Sequence, residues 1–283
     1  MHLEEYRKAV QKGFEKRQRG GVVFFTIPSF VKHGLAAAFT SRIGGVSGGF
    51  FESLNFSLKR EGNLKNIREN FRRAAAAAGF RYESIVLDNY EHGCGIYRVK
   101  KEDAGKGLLI ETDLPKCDAL IVDQPGITAV TLHADCVPLF YLDPVRRVAC
   151  AAHAGWRGIF GGLPRMIPET MAKTYHSEAK DILAAIGPHI SSCCYEVGED
   201  LAGMFEEKFS KSTTERRDGK VYLDLEAAIL TQFMDAGILA ENVTISGLCT
   251  SCHPELFYSH RRDKGKTGAM ASMIAFDKAG NKK

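Results

Sequence analysis

Residues 133–158 read HADCVPLFYLDPVRRVACAAHAGWRG, which sets two histidines, two cysteines and two aspartates into an otherwise apolar stretch. The runs PLFYL and RVACAA flank Asp143-Pro144-Val145-Arg146, and Asp followed by Pro suits the first two positions of a tight turn. A hairpin folded about those four residues places Leu142 opposite Arg147, Leu139 opposite Cys150 and Cys136 opposite His153. Opposed residues in an antiparallel pair have Cβ atoms about 4.5–5.5 Å apart, close enough for a thiolate and an imidazole to share one metal ion. Pro138 interrupts a central ladder, so regular pairing is expected to stop near Leu139 and Cys150. Cys136 and His153 then fall just past the strand ends, where scaffolds present functional groups. After His153 comes AGWRG. A glycine-rich stretch leading into a helix offers free N–H groups to an anion, and Arg157 adds a bidentate donor. The plainer alternative is a core thiol at Cys136 and a strand-end histidine at His153. The register together with His-x-Asp-Cys and Gly-Trp-Arg-Gly favours a site.

A catalytic zinc takes three protein ligands and leaves one position open. The third must come from elsewhere in the chain, and His92 in NYEHGCGIYRV, between two strand-like runs, is a candidate.

The elements that must position these groups are mixed in type. LKNIRENFRRAAAAAG reads as a helix stopped by Gly79. LPRMIPETMAKTY, LAGMFEEKFS and LEAAILTQFMDAG have helical periods, and ALIVD, GITAVTL, PLFYL, RVACAA, DILAAIGP and VTISGL read as strands. The chain becomes strand-rich from Asp118, and no linker marks a domain boundary. Residues 1–283 are therefore expected to form a single α/β domain, with residues 1–20 as an N-terminal helical extension.

The 38 basic and 34 acidic residues give a net charge of +4, too balanced to point to nucleic acid or a membrane surface. The first twenty residues are charged throughout and lack the apolar core of a signal peptide, so a cytoplasmic location and reduced thiols are expected for the eight cysteines. Cys249-Thr250-Ser251-Cys252-His253 matches the haem-attachment pattern C-x-x-C-H. Without an export signal, a structural loop near the pocket is preferred. The vicinal Cys193-Cys194 pair could bind copper, but reduced core thiols are the commoner case.

EHG, HADCVPLFYLD, AAHAGWRG, TSRIGGVSGGFFESLNFS, IGPHISSCCYEVGED and CTSCHPELFYSHRRD together resemble, in the same order and from Phe39 onward, the laccase-domain family. It is also called the multicopper polyphenol oxidoreductase family and includes purine nucleoside phosphorylases. The resemblance implies a zinc site of His92, Cys136 and His153, with copper the older alternative. It implies an α/β/α layered fold with a mixed sheet, similar to the cysteine hydrolase fold of deamidase toxins. The implied substrates are phosphate and purine nucleosides (adenosine, inosine, guanosine, methylthioadenosine), with adenosine deamination beside phosphorolysis. A zinc with an open position lowers the pKa of bound water and suits attack at C6 of adenine. Arg42, in a glycine-rich loop able to form an anion nest, is the expected phosphate clamp. Asn55, Arg157 and His189 are the other expected substrate contacts. Asp135 is expected to accept a proton or to bond the second nitrogen of a zinc histidine, and His133 is a weaker candidate for proton transfer. Two positions depart from the family pattern: Tyr90 stands where Gln is common, and Gly268-Ala269 where Gly-Arg is usual. Copper oxidation of phenols and a cysteine hydrolase built on Cys136 and His153 are the competing functions. The oligomeric state is not legible, and a monomer is compatible with the sequence.

Overall fold

The computed structural model describes residues 2–276. Its strands are, in chain order, β1 (Gln11–Lys12), β2 (Glu15–Arg19), β3 (Val22–Thr26), β4 (Leu35–Thr40), β5 (Ile85–Leu87), β6 (Ile96–Arg98), β7 (Ala119–Val122) and β8 (Thr128–His133). There follow β9 (Val137–Asp143), β10 (Val148–Ala154), β11 (Leu183–Ile186), β12 (Glu196–Val197), β13 (Thr214–Arg217), β14 (Lys220–Leu223), β15 (Val243–Ile245) and β16 (Met270–Phe276). The helices are α1 (Leu3–Ala9), α2 (Pro28–Val31), α3 (Leu58–Glu61), α4 (Leu64–Ala78), α5 (Trp156–Gly161), α6 (Leu163–Tyr175), α7 (Glu199–Lys208) and α8 (Leu225–Asp235).

A seven-stranded mixed sheet has the order β1-β15-β11-β9-β10-β7-β6, and a six-stranded one the order β2-β3-β4-β16-β8-β5. Alternation along β10 shows how they stack. Val148, Cys150, Ala152 and Ala154 pack with Tyr6, Ile159, Met171, Phe205 and Phe233, residues carried by or next to α1 and α5–α8. Ala149 and Ala151 point the other way, toward Phe39 and Ile274 of the six-stranded sheet. The far face of that sheet, with Phe24, Val130 and Met273, is covered by Ile67, Phe71 and Ala74 of α4. The layers are therefore helices, sheet, sheet, helix. This corrects the expected α/β/α arrangement of one mixed sheet, although the mixed α/β class holds. Apart from the two strand-like runs beside His92, the expected strands all begin at or after Asp118, whereas β2, β3 and β4 precede it and β16 lies at the centre of the second sheet.

α4 ends where the sequence puts its stop. Gly79 caps it at φ 84°, a left-handed conformation that glycine adopts without strain, and the Asn63 side chain caps the start by accepting from Asn66 N–H. Residues 2–20 are not one helical extension. Only Leu3–Ala9 is helical, and Tyr6 is buried with its hydroxyl donating to Ile238 O at 2.8 Å. β1 then pairs with β15 and β2 with β3.

The hairpin exists with a different register. Asp143 pairs with Val148, Leu142 with Ala149, Leu139 with Ala152 and His153 with Pro138. The loop is longer than expected because the Asp143 carboxylate accepts from the N–H groups of Val145 (2.8 Å) and Arg146 (2.9 Å), and Arg147 takes φ 53°. Pro138 does not end the ladder, which runs on to Val137 and Ala154. Cys136 thus lies diagonal to His153 rather than opposite it. A slip of two residues keeps both side chains on the face they would have had, where a slip of one would have separated them.

Candidate metal centre

His153 and Cys136 both belong to the face of the seven-stranded sheet that looks at the other sheet. His133, the last residue of β8, points into the same seam, with its ring centroid 5.4 Å from that of His153. The third member, His92, comes from the turn between β5 and β6. The ligand atoms of His92, Cys136 and His153 all lie within 4.8 Å of one another. Two imidazoles and a thiolate at this spacing fit a tetrahedral zinc with one open position.

One carboxylate organises the group. Asp118 lies directly before β7, one pair beyond the Ala119–Ala152 pair of the β7–β10 ladder, and so faces His153. His153 Nδ1 donates to Asp118 Oδ1 at 2.9 Å, and His153 N–H donates to Asp118 O at 2.7 Å. The same carboxylate accepts from the N–H groups of Glu91 (3.2 Å), His92 (3.0 Å) and Gly93 (2.8 Å). It therefore orients one histidine and builds the turn that carries the other, which holds φ 64° at His92. In the sequence Asp118 marks only the start of a strand-rich region. Its one available signal was a carboxylate entering an apolar run.

Gly155 and Gly158 of the HAGWRG motif serve close packing. A Cβ on Gly155 would lie 3.2 Å from His92 Cδ2 and 3.4 Å from Cys136 Sγ, and one on Gly158 would lie 2.7 Å from Gly93 O. The glycines thus let α5 close onto the His92 turn.

Without metal, Cys136 and His153 form an ion pair. Burial opposes the Cys136 thiolate, but the His153 charge outweighs it and lowers the thiol to about 6. Burial opposes the imidazolium too, but Cys136 and then Asp118 raise His153 to about 10. Metal-free protein should therefore show half-maximal iodoacetamide alkylation of Cys136 near pH 6, and added zinc should protect it. Half-reaction near the ordinary thiol value of about 8.5 would count against the pair.

The group opens into a cavity of about 430 Å³, within the range of small-molecule sites, roughly 300–1,000 Å³. Tyr90, Trp156 and Tyr195 give it aromatic walls, Arg60, Arg157 and Arg261 give it positive charge, and His260 also lines it. Tyr90 packs edge-on to His92, with ring centroids 5.4 Å apart. Ala269 also lines the cavity, and near it Arg60 donates to Gly268 O at 2.9 Å. Arg157 stacks on Trp156 with its guanidinium carbon 4.4 Å from the ring centre, and among the described residues it has no hydrogen-bond or ion-pair partner.

Several expected site residues are placed elsewhere. Arg42 does not line the cavity; its guanidinium donates to the carbonyls of Glu52 (2.6 and 3.0 Å) and Pro254 (3.2 Å) and lies over Tyr258. Asn55 is buried behind the wall, with its side chain bonded to Glu61 and to the N–H groups of Ser57 and Ala269. His189 is buried and bonds Gly187 O through Nδ1 at 2.9 Å. Asp135 lines the cavity at φ 88°, but its oxygens accept from Thr250 (2.6 Å), Ser259 (3.0 Å) and Arg261 N–H (2.7 Å). The second nitrogen of His153 goes to Asp118 instead. His133 is buried and held neutral, its titration pushed well below the usual histidine range by burial and then by the His153 charge. Asp88 was not foreseen. Burial pushes its carboxyl up to about 8, and among the described residues neither oxygen has a hydrogen-bond partner.

Comparison with known proteins gives the family and the fold. Residues 36–277 match the family described as multi-copper polyphenol oxidoreductase laccase. The purine nucleoside phosphorylase YlmD of Geobacillus stearothermophilus is 35% identical over 246 residues, covering 85% of this chain and 90% of that protein. Its Bacillus subtilis counterpart of the same name is 34% identical over 247 residues, covering 86% and 89%. The crystal structure of YlmD from Geobacillus stearothermophilus superposes with a TM-score of 0.87 at 32% identity, covering 94% of this chain and all of that one.

Proposed function

This chain belongs to the multi-copper polyphenol oxidoreductase laccase family, and we propose that within it the chain acts as a zinc-dependent purine nucleoside phosphorylase that also deaminates adenosine. The observation that carries this reading is the convergence of the His92, Cys136 and His153 donor set and the Arg157 guanidinium on one cavity of about 430 Å³. The names of its relatives support the phosphorylase part of this reading. Held by those three residues, zinc would supply a Lewis acid. In phosphorolysis a phosphate oxygen bonds to C1′ of the ribose while the C1′–N9 bond breaks and its electron pair leaves with the base. Arg157, with support from Arg60 and Arg261, holds the phosphate. Tyr90, Tyr195 and Trp156 receive the purine and keep water from it. Asp118 holds the His153 proton on Nδ1 and so keeps Nε2 for the metal.

Zinc-loaded protein given adenosine should yield adenine and ribose 1-phosphate only when phosphate is present, and inosine with or without it. Chromatography of the products reads both reactions. No turnover of adenosine, inosine, guanosine or methylthioadenosine would sink the proposal. One observation favours a second reading, a cysteine hydrolase: Cys136, His153 and Asp118 form a nucleophile, base and orienting acid in line. Chelation decides between them, since it should abolish the phosphorylase but preserve a hydrolase.

A further inference from the structure

Four cysteines that the His92 site does not use are gathered beside it. β11 and β15 are parallel neighbours, so the segments leaving their C-terminal ends run side by side. The first segment carries Cys193 and Cys194, and the second carries Cys249 and Cys252. A bridge between His189 and Cys249 holds the segments in register, with His189 N–H donating to Leu248 O (3.2 Å) and Thr250 N–H to His189 O (2.9 Å). The four sulfurs all lie within 4.8 Å of one another. Cys252 Sγ is 3.5 Å from Cys193 Sγ and 3.4 Å from Cys194 Sγ. A tetrahedral zinc with bonds of about 2.3 Å sets its sulfurs roughly 3.8 Å apart, so the cluster stands near that spacing.

The loops are held in place independently of any ion. Arg217 donates to the carbonyls of Ser192 (3.0 Å) and Cys193 (2.6 Å), and Arg262 to that of Thr250 (3.0 Å). Ser191 N–H points at Cys249 Sγ from 3.5 Å, as backbone donors do toward a metal thiolate. All four cysteines are free thiols; Cys249 is buried, while Cys193 and Cys252 are exposed. Burial of one ligand and access to the others fits a site that forms after the loops have folded.

We propose that Cys193, Cys194, Cys249 and Cys252 are the ligands of a second, closed zinc site with a structural role. Four thiolates leave no position for substrate, and an all-sulfur tetrahedral set suits zinc. The site clasps two stretches of the pocket wall, because Ile190 and Tyr195 flank the first cysteine pair and His260 and Arg261 follow the second. Neither C-x-x-C-H nor the vicinal pair carries this reading by itself; the parallel strand ends bring the two together.

Cobalt titration of full-length Cys136→Ala/His153→Ala protein, whose first site is disabled, tests the proposal. About one cobalt per chain should bind with intense thiolate-to-metal charge-transfer bands and the d–d bands of a four-sulfur tetrahedron. Zinc should displace it, and elemental analysis should return about one zinc per chain from the same variant. Adding Cys252→Ser, a change at an exposed position, should abolish both signals while circular dichroism stays native. The proposal is overturned if the double variant binds neither metal, if binding survives Cys252→Ser, if iron is the metal recovered, or if mass spectrometry finds Cys252 disulfide-bonded to Cys193 or Cys194.

Discussion

Cys136→Ala should lower adenosine phosphorolysis by roughly 10³-fold, because a Lewis-acid metal contributes several kcal/mol and each 1.36 kcal/mol is a factor of ten. Cys136 is the only thiolate of the three-ligand group, and it is the residue that holds the His153 charge when the metal is absent. Its removal leaves two imidazoles, too few to hold zinc against water. Zinc content at this centre and turnover should fall together, and the circular dichroism spectrum should not change, because the half-buried side chain opens onto the cavity. Retained turnover in a variant that has lost this zinc would refute the assignment of Cys136 as a ligand that activity requires.

Asp118 substitutions should separate metal affinity from folding. Asp118→Asn keeps the shape but turns a donor toward groups that need an acceptor, and outer-shell losses of this kind cost about 10–100-fold in metal affinity. A competition titration with a zinc chelator measures it. Asp118→Ala strands the N–H groups of Glu91, His92 and Gly93 and the imidazole of His153. That should cost about 3–5 kcal/mol, read as a fall in the denaturant midpoint. The wild-type contribution depends on pH. Burial raises the Asp118 carboxyl, but the bonds from His153 and Gly93 outweigh it and hold it below its ordinary value. Stability from this group is therefore complete above about pH 4 and is lost as the pH falls below that. An Asp118→Asn protein with unchanged zinc affinity would remove Asp118 from the site.

The parts of this site that were legible in the sequence were those set by residue type and parity. Cys136 and His153 could be paired despite a misjudged turn, since an error of two residues does not move a strand residue to the other face. The turn itself was not legible, because Arg147 in a left-handed conformation leaves no signal of the kind a glycine would. Asp118 was missed for a different reason. Its link to His153 crosses from β7 to β10, and only a register between distant strands reveals it. The second sheet escaped because β4 reads LAAAFT, an alanine-rich run that packing rather than propensity makes into a strand. Arg42, Asn55 and His189 belonged to recognisable motifs, but motif membership says nothing about which way a side chain points.

The insertion of β16 between β4 and β8 sets the order in which the chain can be completed during synthesis. β8 carries His133 and runs into the His-x-Asp-Cys turn, yet its neighbour on one side is Met270–Phe276, translated more than a hundred residues later. Asp135 is fastened by Thr250, Ser259 and Arg261, which also emerge late. The carboxylate of the residue next to Cys136 is therefore fastened by segments made more than a hundred residues later, and the seam that carries His92, Cys136 and His153 is closed by the last-made part of the described chain.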